Sequence, residues 1–432
     1  MSDTQIYDLE CVLIALLAGG FAVGLVLRRL RRAQHDLAIG RAIVVGYGLR
    51  IIGALIVGGT SYASQLRGGD ELLWLSKARS LAAWDLFSSG TTDGLTSELH
   101  CEFFSLSFRF FDRVPDMMLR AQVIAIAMIG LALLAAAVHE LAGRRAAHVT
   151  AWVLALEPAN VFFSGILHKE PFMFLAEGLV AYGGAVMWKR GRLTALFPMI
   201  FGCLIATATR PYVGWFLAAA AAAIALHAGL RHRSRASFGL VAVVLVLGVI
   251  FFPTVWNASS SKNLKSLQAS QDANAADSSA NLSLERVDYS TRGKIIVNLP
   301  TRVVDIVTKP YPWQVANASQ QLGLLGTTAM FLGVLALIAT LLSDGGAIMR
   351  RAGPLIYPAL FLLVAYSLSA GNAGTAFRYR THLVAFLLAL VCTLRQTRAR
   401  VAAPAVAHDP VLDPPVLHQG NPLDHPRVHA HS

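Results

Sequence analysis

The chain alternates between long apolar runs and polar breaks, and the breaks are of two kinds that take turns. A membrane-crossing helix needs about 20 mostly apolar residues. Stretches near 10–27, 42–62, 118–139, 148–165, 172–188, 194–209, 212–230, 237–255, 322–342, 354–370 and 379–394 approach that length. Of these, 194–209 is short and 42–62 carries Arg50 inside it. One kind of break is short and basic: RRLRR from Arg28, Arg144-Arg145, Lys189-Arg190 with Arg192, Arg231/Arg233/Arg235, Arg350-Arg351 and Arg395/Arg398/Arg400. The other kind holds GGDE, LHKEP, TRPY, a Ser-rich stretch and GNAGTAFRYR. Basic loops stay cytoplasmic because they resist translocation. The pattern therefore predicts an all-α polytopic membrane protein of about eleven transmembrane helices, with the N-terminus outside and the C-terminus cytoplasmic.

Two outer loops are long, at about 63–117 and 256–321. In the first, DELLWLSKARSLAAWDLF mixes aromatic, leucine and charged residues as an interfacial amphipathic helix does. The second opens with a Ser/Asn/Ala-rich linker and closes with NLPTRVVDIVTKPYPWQ. There Val303, Val304, Ile306 and Val307 predict a helix near the membrane that ends before Pro310 and Pro312. Residues 1–395 read as the transmembrane domain, and 396–432 as a disordered Pro- and His-rich cytoplasmic tail. The outer loop also holds the sequons at Asn257, Asn281 and Asn317, which in so Ser/Asn-rich a stretch read as chance occurrences.

Composition agrees with the pattern. Only 14% of residues are charged and 55% are hydrophobic, with a mean hydropathy of +0.55. A soluble domain carries about 25% charged residues. The net charge of +12 would suit a nucleic-acid binder, but the surplus cations flank apolar spans, where topology and anionic head groups explain them. Nucleic acid is therefore not an expected partner; membrane lipids are. Cys11, Cys101, Cys203 and Cys392 have neither disulfide-framework nor metal-ligand spacing.

The outer breaks hold the candidate chemistry. Asp70 and Glu71 follow Gly68-Gly69 at the exit of the second span, where a carboxylate can take a proton from a hydroxyl or hold a divalent cation. That cation is the one cofactor the sequence suggests. Lys169 and Glu170 sit in a tight turn between two spans and suit a phosphate and its orienting partner. Glu157 lies inside a predicted span, where an acid needs a polar cavity or a partner, and Pro158 beside it would expose backbone carbonyls. Arg210 and Tyr212 begin another helix. Arg378, Tyr379 and Arg380 form the densest outer cluster, with cations where the positive-inside rule disfavours them. The small residues Gly130, Ala132, Ala135, Ala136 and Ala137 are packing positions.

Three of these stretches resemble the GT-C glycosyltransferases of the protein-mannosyltransferase-like superfamily. They are GGDELLWLSKARSLA, the run LAGRRAAHVTAWVLALEPANVFFSGILHKEPFMFLAEGLVAY, and FRYRTHLVAFLLAL. The chain departs from the family's usual pattern by placing a span before the acidic motif and no separate soluble domain in the second outer loop. The resemblance implies transfer of a sugar from a polyprenyl-phosphate donor to a glycan, lipid or protein acceptor on the outer face of the cytoplasmic membrane. It implies Asp70 as catalytic base with Glu71 as alternate, and Lys169, Arg210, Arg378 and Arg380 as donor-phosphate ligands. An O-antigen-type polymerase or ligase acting on lipid diphosphates, or a transporter or flippase, would use the same membrane architecture.

Overall fold

A backbone surrounded by lipid must satisfy its own N–H and C=O groups, so each apolar run is expected to coil. The computed structural model describes residues 2–59, 61–83, 98–232, 242, 246, 261–276, 284, 287–315, 318–344, 348–370 and 373–402, and all regular structure among them is helical. The helices are α1 (Asp3–Ala33), α2 (Gly40–Gly59), α3 (Ser61–Ala82), α4 (Leu99–Phe110), α5 (Asp116–Ala142), α6 (Arg144–Leu156), α7 (Pro158–Phe163) and α8 (Glu170–Arg190). They continue as α9 (Leu196–Thr209), α10 (Pro211–His232), α11 (Ser261–Ala276), α12 (Arg292–Thr308), α13 (Ala318–Asp344), α14 (Ile348–Ser369) and α15 (Ala373–Ala402).

Eight of them, α1, α2, α5, α8, α10, α13, α14 and α15, are long and apolar enough to cross a membrane. The outward faces agree: Leu17 and Phe21 on α1, Phe197 on α9 and Leu342 on α13 are 69–85% exposed. Water would penalise such a surface, whereas lipid matches it. The described residues are all-helical in their regular structure, and the chain is a multi-pass membrane protein. Of the other expected spans, 194–209 is the short apolar α9 and 148–165 is two helices. Residues 396–402, expected in the disordered tail, instead continue α15, while 237–255 apart from 242 and 246, the sequons and residues 403–432 lie outside the described residues.

Two glycines set the centre of the bundle. A Cβ on Gly130 of α5 would lie 2.3 Å from the Phe174 carbonyl oxygen of α8, and one on Gly178 would lie 2.2 Å from the Gly130 oxygen. Lipid supplies no hydrophobic force between helices, so this backbone contact is what lets α5 and α8 pack closely. Ala132, Ala135, Ala136 and Ala137 are all buried beside it.

The run 148–165 breaks at Glu157, as its acid and proline suggest. The Glu157 carboxylate accepts from the backbone N–H groups of Ala159 (3.2 Å) and Asn160 (2.6 Å) and so caps α7, with Pro158 in its first turn. The break frees carbonyls at the end of α6, and Arg50 answers them. Fully buried on α2, it donates to Leu154 O and Ala155 O at 3.1 Å each and to Ser164 Oγ at 3.1 Å. The arginine inside a span is thus the cap of a broken one.

The basic connectors gather at one end of the bundle. Gln34, just after α1, reaches Glu140 of α5 at 3.2 Å, and Arg190 of α8 reaches the same carboxylate at 2.6 Å. Arg231 and Trp188 both donate to the Arg350 carbonyl, at 3.2 and 3.0 Å. From that end α8 runs 21 residues to the turn holding Lys169, a rise of about 30 Å that matches a bilayer core.

The helices expected in the outer loops are present. The segment DELLWLSKARSLA is the second half of α3, which begins earlier, at Ser61. α4 follows it and was not marked in the sequence. α12 ends at Thr308, before Pro310. It turns Ile296, Val297 and Val304 outward while burying Arg302, Asp305 and Ile306, the arrangement a helix lying against lipid needs.

Candidate anion-binding site

At the end opposite the basic connectors, the first turns of α8, α10 and α15 converge on a cavity of about 380 Å³. Its walls include Lys169, Arg210, Tyr212, Arg378 and Tyr379, with Trp74 of α3, Glu98, His168, Ser369 and Thr375. Helix starts carry partial positive charge from unpaired N–H groups, so three of them beside three cations favour an anion.

Lys169 precedes the first turn of α8, where Pro171 fixes the backbone direction. Its ammonium pairs with the Glu98 carboxylate and lies 4.6 Å from the centre of the Trp74 ring. The turn that presents it is tied down from below. Arg120 of α5 donates to the Gly165 carbonyl at 2.9 Å and pairs with Glu71 of α3 in a fully buried ion pair.

Arg210 is held by Glu170 at 2.5 Å, with both side chains buried, and its guanidinium sits 4.9 Å over the Tyr379 ring. The Tyr379 and Tyr212 hydroxyls are 2.7 Å apart. Tyr379 stacks on Tyr366 of α14 at 4.5 Å, and the Tyr366 hydroxyl donates to Glu177 of α8 at 3.3 Å. Glu177 also lies 3.0 Å from Nδ1 of His382. A chain of polar and aromatic contacts therefore runs from the cavity wall into the middle of the bundle, where an acid needs partners of this kind.

Five of the residues singled out in the sequence, Lys169, Arg210, Tyr212, Arg378 and Tyr379, meet at this cavity. Glu170 stands behind the wall as the counter-ion of Arg210. Glu71 is not a cavity residue: its carboxylate is committed to Arg120. Asp70 lies in α3 one helical turn before Trp74, and its side chain lies outside the described residues, as do Gly371 and Asn372. Arg380 faces away from the cavity. It donates to Ile306 O at 2.7 Å, to Thr327 Oγ1 at 2.5 Å and to Lys309 O, pinning the end of α12.

Sequence reasoning missed Trp74, Glu98, His100, Glu177 and His382. Glu177 carried a usable signal, since it is an acid inside a predicted span, as Glu157 is. His100 lies beneath the wall, edge-on to Trp74 at 4.8 Å and 3.5 Å from Glu98. Burial, aided by the nearby charges of Lys169 and His168, pushes its imidazole down to about 2, so it is neutral. Glu98 cannot reverse this, because Lys169 already occupies it. Burial likewise pushes the neighbouring Cys101 thiol up to about 12. Among the described residues, no three His, Cys, Asp or Glu side chains gather as metal ligands.

Compared with family models, curated proteins and solved structures, the chain matches none of them.

Proposed function

We propose that this chain is a multi-pass membrane glycosyltransferase that moves a sugar from a polyprenyl-phosphate donor to a glycan, lipid or protein acceptor. One observation carries the reading. Lys169, Arg210 and Arg378, brought from three separate helix starts, converge with two tyrosines on one cavity at the end of a lipid-embedded bundle. Cations and helix starts suit a phosphate, tyrosine hydroxyls and rings suit a sugar, and the flanking helices suit a prenyl chain. The collection of basic connectors at the other end supports an outward-facing cavity in the cytoplasmic membrane. It likewise supports about eleven crossings with an outer N-terminus.

In this reaction the acceptor hydroxyl attacks the anomeric carbon. The bond from that carbon to the phosphate oxygen breaks, and polyprenyl phosphate leaves with the electron pair. Asp70 takes the hydroxyl proton. Arg210 and Arg378 hold the phosphate oxygens as charge builds on them, and Lys169 completes the ring of donors. Glu71 acts through Arg120, fixing the turn that presents Lys169. Any divalent cation would sit by Asp70, since the Glu71 carboxylate is already paired.

The test is genetic and chemical. Cells carrying Asp70→Asn or Arg378→Ala are expected to lose a class of envelope glycan and to accumulate its polyprenyl-phosphate sugar. Unchanged glycans and precursors in both, at normal protein levels, would overturn the reading. Loss with Arg378→Ala alone would instead favour a lipid-diphosphate polymerase or ligase that needs no Asp70 base.

A further inference from the structure

A second cleft, of about 830 Å³, lies at the basic end of the bundle between α1, α2 and α6. Arg28, Arg31, Arg32 and Arg41 line it with Trp152, over an apolar floor that includes Val44. As topology signals these arginines would need only to lie beyond the spans. Their arrangement is more specific than that. On α1, Gly24, Leu27, Arg28 and Arg31 repeat at three- and four-residue steps, and on α2 Arg41, Val44 and Val45 do the same, so each set shares one helix face, with His35 in the turn just beyond α1.

Polarity in the cleft is graded along α1. The cations are outermost, and Gly24 lies about 10 Å deeper along α1 than Arg31, at 1.5 Å per residue. Arg31 is drawn inward: its Nη2 lies 2.3 Å from where a Cβ on Gly40 would stand, so the bare start of α2 makes room for the guanidinium. Among the described residues, Arg28, Arg31, Arg32 and Arg41 form no ion pair with a carboxylate. Four cations in a row above an apolar floor open to lipid match a phosphate head group with its acyl chains.

We infer that this cleft binds one anionic phospholipid, with its phosphate on Arg31 and Arg41 and an acyl chain over Gly24 and Val45. The inference does not depend on the transferase reading. The test uses the full-length protein in neutral detergent, titrated with phosphatidylglycerol, phosphatidylcholine or inorganic phosphate, and reads bound lipid by native mass spectrometry. Phosphatidylglycerol is expected to fill one site that neither phosphatidylcholine nor phosphate competes for. The double variant Arg31→Gln/Arg41→Gln is expected to weaken it roughly 30-fold, from about fivefold per cation.

A second variant separates a site from general positive charge. A Cβ at Gly24 meets nothing within 4 Å, so Gly24→Trp starts a bulky side chain from open space at the floor and keeps every arginine. It is expected to weaken phosphatidylglycerol at least tenfold, and it keeps the question answerable if the double variant does not fold. Wild-type binding by Gly24→Trp, equal binding of phosphatidylcholine, or displacement by inorganic phosphate would each overturn the proposal.

Discussion

Replacing Glu170 and Arg210 together should destabilise the protein by clearly less than the sum of the two single replacements. The pair is buried, with the Glu170 side chain fully enclosed, the Arg210 side chain 8% exposed and the nearest atoms 2.5 Å apart. Removing one partner leaves the other as an uncompensated buried charge, which costs about 3–5 kcal/mol, whereas removing both leaves none. The experiment is a double-mutant cycle of Glu170→Gln, Arg210→Gln and the combination. Unfolding of purified protein in mixed micelles would be followed by tryptophan fluorescence as SDS is raised. Each single variant is expected to lose about 3–5 kcal/mol, and the pair to recover about 2–3 kcal/mol of the summed loss. The double variant should still lack sugar transfer, because Arg210 is part of the cavity. Losses that add to within about 0.5 kcal/mol would refute the coupling.

Other substitutions separate residues that look alike in sequence. Arg378→Gln should raise the donor Kd about 10- to 150-fold, the equivalent of one charged hydrogen bond. Arg380→Gln should leave that Kd unchanged while speeding hydrogen exchange in α12, because its donors hold Ile306 and Lys309. Arg50→Leu would orphan the Leu154 and Ala155 carbonyls and should destabilise the protein by about 2–6 kcal/mol in the same SDS titration. His100 stays neutral in the folded protein while its unfolded counterpart takes a proton below about pH 6.5. Stability should therefore fall as pH drops from 6.5, by about 2 kcal/mol at pH 5, and His100→Gln should flatten that dependence.

The span pattern and the sorting of loops to two ends were legible because apolar length and charge placement are local properties of the chain. Arg378 stood out as a cation where the positive-inside rule is expected to disfavour one, and Lys169 and Arg210 as cations in polar breaks that suit a phosphate. What the sequence could not separate was Arg378 from Arg380. Two residues along a helix is a rotation of about 200°, so one faces the cavity and the other packs against α12 and α13. Arg50 looked like a flaw in its span because the carbonyls it caps are more than a hundred positions away. Glu98 gave no signal at all, being one acid in a polar loop until the fold sets it against Lys169.

Charge bears on how the proposed reaction runs. At the cavity Lys169 is paired with Glu98 and Arg210 with Glu170, so both cations meet the substrate already partnered. In the proposed reaction the donor is a sugar phosphodiester with one negative charge, and the ionised Asp70 base carries another. The transfer step then preserves the balance. When the bond to the sugar breaks, the leaving phosphate gains a negative charge, and in the same step Asp70 loses one by taking the acceptor's proton. The total charge of the site is unchanged across the reaction, so fixed arginines serve substrate and product without rearrangement.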